Sequence, residues 1–149
     1  MRDLNEPSIL SGGISVDDRG MVSFHNSLDL TEWRRFYFVS NHEVGFVRAW
    51  HGHKIERKVA VPVSGTFLLA CVRIKNWEAP DTAVQPQLYT LSSNSPRALY
   101  IPAGFANGFK SLTQHSTIMF LSSSTLEQSN SDDFRYPWNY WNPWESNYR

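Results

Sequence analysis

The chain has 149 residues, a length that suits one domain with a buried core. Its 14 Lys and Arg are balanced by 14 Asp and Glu, which excludes the basic field that nucleic-acid or anionic-membrane binding uses. The lone Cys71 cannot form an internal disulfide, and we find neither a signal core at the N-terminus nor an apolar run of membrane-spanning length. We therefore expect one domain over 1–149, in the cytoplasm, with no nucleic-acid or membrane partner.

The N-terminal third alternates short β-prone runs with turn residues. The sequence from Asp17 to Gly20 predicts the turn of a hairpin. In the next run, Arg35 and Tyr37 share one face of a strand and Phe36 and Phe38 share the other. This segment therefore predicts a strand with two usable faces.

The rest of the chain continues as short runs rich in Val, Ile, Tyr and Phe, bounded by Gly, Pro, Asn or Ser. No helical period of any length interrupts them, and the segment from Asn76 to Pro86 predicts the longest loop. Many short strands in one domain favour an all-β sandwich or barrel of jelly-roll type. From about residue 134 the chain becomes rich in aromatic residues, and we expect this C-terminal arm to pack against the body or a partner subunit.

Two histidines, an arginine and two lysines lie between Gly45 and Gly65. On a strand, His51 and His53 project to the same side, which indicates a site; surface or core-edge histidines are the alternative. Arg48 differs from His51 by an odd number, so the two share a face only if the strand carries a bulge or twist.

The spacing in this stretch resembles the first motif of the cupins, but half of the usual metal ligands are replaced. Lys58 stands where the motif has a glutamate, and Asn107 stands where the second motif has a histidine. Two neutral imidazoles beside an ammonium lack the ligand count and charge balance of a divalent metal site. We therefore expect no metal and no cofactor.

Histidines beside cations suit a different chemistry. Imidazole is the usual general base near neutral pH, and a neighbouring cation stabilises an enolate oxygen. These are the groups that proton abstraction next to a ketone requires.

The chain also resembles the sugar-modifying cupins, namely dTDP-4-dehydrorhamnose 3,5-epimerases and the related dTDP-sugar 3,4-ketoisomerases. The motifs that carry the likeness are Asp17 to Gly20, Arg48 to His51, Lys58 and Ile101 to Phe109. The resemblance implies a cupin jelly roll, a dTDP-linked sugar substrate, a role in surface-polysaccharide sugar biosynthesis and a homodimer. It also implies that His51 is the base, that Arg48 and Lys58 contact substrate, and that Arg19 reaches the nucleotide, in some members across the dimer interface.

Two positions depart from the epimerase pattern. The family's acid tyrosine aligns with Phe120, and its second histidine with Asn107. Other segments are closer to the ketoisomerases, including Arg34 to Phe38, Arg48 to Lys54 and Asp133 to Arg135. The sequence is therefore a hybrid of the two groups.

Each candidate residue has a predicted role beside an ordinary alternative. Tyr37 is predicted to be an acid and Arg35 a phosphate contact; the alternative is that both are packed strand residues. Asn107 and Lys110 are predicted to contact the sugar or phosphate, and the alternative is that they belong to a turn and the core. We predict an epimerase or isomerase of a nucleotide-linked 4-keto-6-deoxyhexose, with a non-catalytic sugar-binding cupin and a metal-dependent oxygenase as alternatives. The predicted catalytic residues are His51, His53, Tyr37 and Lys58, and the predicted substrate-binding residues are Arg19, Arg35, Arg48, Asn107 and Lys110.

Overall fold

The computed structural model describes residues 4–145, which form twelve β-strands and two short helices. The strands are β1 (Ser8–Ser11), β2 (Gly13–Asp17), β3 (Gly20–Phe24), β4 (Arg35–Ser40), β5 (Val47–His53), β6 (Lys58–Ser64), β7 (Thr66–Arg73), β8 (Gln87–Ser92), β9 (Arg97–Ile101), β10 (Phe105–Ser111), β11 (Thr117–Ser122) and β12 (Phe134–Arg135). The helices are α1 (Leu126–Asn130) and a 3₁₀ turn over Trp138–Tyr140.

Ten of these strands form two five-stranded antiparallel sheets, in the orders β1-β9-β6-β11-β4 and β12-β5-β10-β7-β8. Strands β2 and β3 pair separately as a hairpin whose turn contains Gly20 at φ 135°. The main core lies between the two sheets and includes Phe67, Leu99 and Phe105. The predicted all-β, cupin-type jelly roll is confirmed.

Strand β4 shows how the alternating sequence places side chains. Tyr37 packs against the main core, whereas Phe36 and Phe38 are 62% and 56% exposed on the outer face. The two faces predicted for this run are confirmed.

The C-terminal aromatic residues pack on the outer side of β5. Strand β12 pairs with β5, and the Trp50 ring contacts Trp141 and Trp144 at centroid distances of 5.3 and 5.2 Å. The Trp50 indole N–H donates to the backbone carbonyls of Trp138 and Trp141. Indole rings are buried most stably when their N–H group has a partner, so this contact fixes both the arm and Trp50. Residues 146–149 of the predicted arm lie outside the described residues.

The sequence prediction missed helix α1. Its start is marked by a capping box, in which the Thr125 side chain accepts from the Gln128 backbone and the Gln128 side chain accepts from the Thr125 backbone. This Thr-x-x-Gln pattern is a sequence signal for a helix start. No helix within residues 4–145 is long and apolar enough to cross a membrane.

Candidate active site

A cavity of about 140 Å³ lies between the two sheets. Strands β5 and β10 supply one wall, and β4, β6 and β11 supply the facing wall. Four of the lining residues are predicted catalytic or binding residues from β4, β5 and β6, and Asn107 on β10 is a fifth. The lining residues are Tyr37, Val39, Arg48, His51, Lys58, Asn107, Phe109 and Phe120.

A bulge in β5 brings Arg48 and His51 to the same cavity. His51 pairs with Asn107 and Arg48 pairs with Phe109, so one residue of β10, Gly108, opposes two residues of β5. A Cβ atom on Gly108 would lie 2.5 Å from the Ala49 Cβ, closer than real contacts allow. The bulge predicted from residue parity is therefore present, and Gly108 leaves room for it.

His51 is held in its neutral, basic form. Burial, the nearby Lys58 ammonium and then the Arg135 guanidinium lower the pKa of His51 from 6.5 to about 4. Asp133 opposes this shift only in part. Because the ring is unprotonated at neutral pH, His51 is ready to accept a proton.

Lys58 lies opposite His51, on β6, and is 8% exposed. Its Nζ atom lies 5.8 Å from the centre of the Tyr37 ring and 5.7 Å from that of Phe120, and within residues 4–145 it has no carboxylate partner. A buried cation without a counter-ion is costly, because desolvation is not repaid by an ion pair. An anionic group in the cavity would supply the missing partner.

Tyr37 and Phe120 are cross-strand neighbours on β4 and β11. Their rings stack at a centroid distance of 5.4 Å. Among the described residues the Tyr37 hydroxyl has no hydrogen-bond partner, although the residue lines the cavity. Tyr37 therefore presents a hydroxyl beside the position where Phe120 lacks one.

Arg48 and Asn107 also line the cavity. The Arg48 Nε donates to the Asn41 side-chain oxygen at 2.8 Å, and Arg48 is exposed to solvent. Asn107 is buried, and its side-chain nitrogen donates to the His51 backbone carbonyl at 3.3 Å. Asn107 thus supports the strand that carries His51.

His53 lies behind the cavity and has a different environment from His51. Its Nδ1 lies 2.6 Å from the Asp132 carbonyl oxygen and 3.0 Å from a carboxylate oxygen of Glu56. Neither Glu56 nor Asp132 is among the site residues predicted from the sequence. Both residues are buried, at 2% and 5% exposure. The sequence does not mark them, because Glu56 lies between Lys54 and Arg57 in a charged stretch and Asp132 is followed directly by Asp133.

The residues present do not fit a divalent metal ion. Among residues 4–145, no three His, Cys, Asp or Glu side chains are grouped to hold one. Lys58 faces the same cavity as His51, and the His53 Nδ1 is engaged by Asp132 and Glu56. An ammonium in place of a carboxylate opposes cation binding.

Three predicted binding residues are placed outside the cavity of this chain. Arg35 does not line the cavity, and its guanidinium donates to Glu56 and Ser129. The Arg19 side chain is 86% exposed in the β2–β3 turn and pairs with Asp17. The Lys110 ammonium donates to the Trp144 carbonyl in the C-terminal arm.

The loop expected from Asn76 to Pro86 contains no strand or helix, and it supplies the neighbour of Gly52. A Cβ atom on Gly52 would lie 2.7 Å from the Trp77 ring. The glycine between the two histidines therefore admits a protein side chain from this loop.

Comparison with known proteins identifies the family. No curated protein matches the chain. The solved epimerase from Bacillus anthracis, with TDP and pyrophosphate bound, has a TM-score of 0.75 and 23% identity, covering 93% of this chain and 83% of its own. The Mycobacterium tuberculosis epimerase has a TM-score of 0.70 and 23% identity, covering 89% and 70%. The sugar 3,4-ketoisomerase QdtA from Thermoanaerobacterium thermosaccharolyticum, in complex with TDP, has a TM-score of 0.67 and 16% identity, covering 90% of each chain.

The similarity to these structures supports the fold, whereas membership of the family rests on a match to the family's sequence model. The family model described as dTDP-4-dehydrorhamnose 3,5-epimerase matches residues 8–139, which is most of the chain. This protein is an isomerase that belongs to the dTDP-4-dehydrorhamnose 3,5-epimerase family.

Proposed function

We propose that this protein is a metal-independent epimerase or ketoisomerase of a dTDP-linked 4-keto-6-deoxyhexose used for surface polysaccharide. The observation that carries the proposal is one cavity in which a neutral histidine, His51, faces an unpaired buried ammonium, Lys58. A volume of about 140 Å³ suits a single sugar ring, well below the roughly 300–1,000 Å³ of pockets that enclose larger ligands. The nucleotide then lies outside, past the exposed Arg48.

The first step is removal of a proton from the carbon next to the ketone. His51 accepts this proton, and the electron pair of the broken C–H bond moves into the carbonyl to form an enolate. Lys58 and Arg48 stabilise the negative oxygen, since both are cations at the cavity wall. Return of a proton to carbon completes an isomerisation in which atoms and charge balance.

The acid of the second step is Tyr37. Tyr37 belongs to the sheet that faces the strand of His51 across the cavity. It is the cross-strand neighbour of Phe120, and position 120 is where the family pattern has its tyrosine. A sugar ring between the two sheets presents one face to His51 and the other to Tyr37. Proton return from the Tyr37 side inverts the carbon, which favours epimerisation. Ketoisomerisation is the second candidate, favoured by the phenylalanine at position 120.

A swap of the two aromatic residues tests this assignment. The Tyr37→Phe variant should invert the substrate about 100-fold more slowly, because general acids contribute roughly 10²–10⁴-fold, while His51 still exchanges the α-proton. Adding Phe120→Tyr should restore part of the inversion rate. The measurement is ¹H NMR of dTDP-4-keto-6-deoxyglucose in deuterated water, which separates exchange from inversion and identifies the product.

Wild-type inversion rates in Tyr37→Phe would exclude Tyr37 as the acid. If the wild-type protein binds the nucleotide sugar but exchanges no proton, the non-catalytic sugar-binding alternative replaces the enzymatic proposal. A ketoisomerised product would assign the second candidate.

We also infer a homodimer. Phe36 and Phe38 form an edge-to-face pair on the exposed outer face of β4, and the β2–β3 hairpin exposes Val16 and Met21 beside Arg19. A second copy over these apolar surfaces would bury them and could carry its Arg19 toward the nucleotide.

We expect sedimentation velocity to show a dimer that the double variant Phe36→Ser, Phe38→Ser dissociates. The substitution Phe46→Ser, of a phenylalanine also exposed to solvent, is the matched control and should leave the dimer intact. A monomeric wild-type protein at micromolar concentration would contradict this inference.

A further inference from the structure

Trp144 belongs to the C-terminal arm and lies beyond the segment that the family model matches, so its role cannot be taken from the family. The residue is 4% exposed and packs on the outer side of the sheet that carries His51. Its ring centroid lies 5.2 Å from that of Trp50 on β5, and a Cβ atom on Gly108 of β10 would lie 2.9 Å from its Cζ2 atom. Trp144 therefore packs on two neighbouring strands at once.

Both contacts lie at the bulge of β5. In that bulge Gly108 opposes two residues of β5, and this places Arg48 and His51 at the same cavity. Loss of the bulge would shift the pairing register by one residue, and such a shift turns a side chain to the opposite face of the sheet. Trp144 thus covers, from outside, the irregularity that lets Arg48 and His51 share the cavity.

Hydrogen bonds hold the arm at this position. The backbone N–H and C=O groups of Trp50 each bond to the backbone of Tyr136 at 3.1 Å. The Trp144 carbonyl accepts a hydrogen bond from the ammonium of Lys110, which follows Gly108 on β10 by two residues. Among the described residues Lys110 has no carboxylate partner. A hydrogen bond from an ammonium is stronger than one between neutral groups, so Lys110 is a firm anchor for Trp144.

The indole N–H group of Trp144 differs from that of Trp50. It is buried and has no partner in residues 4–145, whereas the Trp50 N–H donates to two carbonyls. A buried N–H group without a partner is unfavourable. The contacts of the Trp144 ring and the bond from Lys110 offset this cost.

We propose that Trp144 is a positioning residue that acts through the bulge of β5, and that Lys110 holds Trp144 in place. Neither residue lines the cavity. Their packing stabilises the bulge and so keeps Arg48 and His51 at one cavity. Lys110, which the sequence predicts as a substrate contact, acts on the arm instead. The effect on turnover rests on the function proposed above, whereas the coupling of Lys110, Trp144 and the bulge does not.

The substitution Trp144→Leu tests the packing, since leucine is apolar but leaves part of Trp50 and Gly108 uncovered. In the full-length protein, hydrogen–deuterium exchange measured by mass spectrometry should show the backbone amides of β5 and β10 exchanging about tenfold faster, while β11 keeps its wild-type rate. Turnover of dTDP-4-keto-6-deoxyglucose should fall about tenfold, with KM changed less than about twofold. Trp144→Phe, which keeps a ring and removes the unpartnered N–H group, should recover part of both effects.

The substitution Lys110→Met tests the anchor. It should change hydrogen exchange and turnover in the same direction as Trp144→Leu. The double variant should lose less than the sum of the two single effects, because both substitutions act through one contact. The matched controls are Trp138→Leu, of a tryptophan 47% exposed on the same arm, and Lys75→Met, of an exposed lysine; both should leave exchange and turnover unchanged.

Wild-type hydrogen exchange of β5 and β10 in Trp144→Leu would overturn the proposal. An equal increase in β11 would also overturn it, since that result indicates only a less stable protein. A Lys110→Met variant whose KM rises while its exchange is unchanged would show that Lys110 contacts substrate, and would overturn its role as an anchor. If Trp144→Leu does not fold, Lys110→Met and Trp144→Phe provide the same comparison of β5 and β10 with β11. The exchange experiments need no sugar, so a failure of the nucleotide-sugar activity is recognised separately.

Discussion

The substitution His51→Asn should slow α-proton exchange by about 10³-fold or more, because it removes the group that accepts the proton. The asparagine fills most of the same space, so the protein should fold normally. The measurement is loss of the α-proton signal of dTDP-4-keto-6-deoxyglucose in deuterated water. His115→Asn is the control, since His115 is exposed and its φ of 55° suits asparagine. Exchange at the wild-type rate in His51→Asn would remove His51 from the mechanism.

The pH dependence gives an independent check of the same residue. The pKa of His51 is lowered to about 4, so the ring stays unprotonated well below pH 6.5. As the pH falls, kcat/KM should therefore decrease only near pH 4, instead of near pH 6.5. Between pH 6.5 and 4 the unfolded ring binds a proton that the folded ring does not. The free energy of unfolding should therefore fall as pH falls through this window, and His51→Asn should remove this part of the dependence. A decrease of kcat/KM near pH 6.5 would contradict the inference that the buried His51 ring stays neutral.

The substitution Lys58→Met should reduce turnover by about 10²–10³-fold, the usual cost of removing one group that stabilises an oxyanion. It should also raise the pKa of His51, because the Lys58 ammonium lowers this pKa more than any other charged group does. Removing a buried ammonium that has no counter-ion should increase the free energy of unfolding by about 1 kcal/mol. Turnover, the pH profile and thermal unfolding measure these three effects.

Lys54→Met is the matched control, since Lys54 is exposed and lies over the Trp77 and Phe134 rings. It should leave turnover and the pKa of His51 unchanged. A Lys58→Met protein with wild-type activity would show that the enolate is stabilised elsewhere.

The strand pattern and much of the candidate site could be predicted because both depend on local rules. Side chains alternate along a strand, so β4 could be divided into a core face with Tyr37 and an outer face with Phe36 and Phe38. The same parity required a bulge between Arg48 and His51, and β5 contains one. Helix α1 was missed because five residues show no helical period, although its capping box was visible.

Contacts between distant segments could not be predicted in this way. Glu56 and Asp132 are 76 residues apart, and nothing local indicates that one fixes the loop of the other. Likewise, Arg35 was predicted to contact a phosphate, whereas in the structure its guanidinium donates to Glu56 and Ser129.

The sequence by itself determined the all-β class, the two faces of β4, and the replacement of half of the cupin ligand set by Lys58 and Asn107, because composition, alternation and motif spacing are properties of the chain. Only the tertiary structure decided which histidine faces the cavity. His51 and His53 are two residues apart on one strand, yet their surroundings differ. His51 lines the cavity together with Lys58 and Tyr37, whereas His53 is buried against Glu56. Burial and charge at each ring come from residues distant in sequence, and these set its protonation.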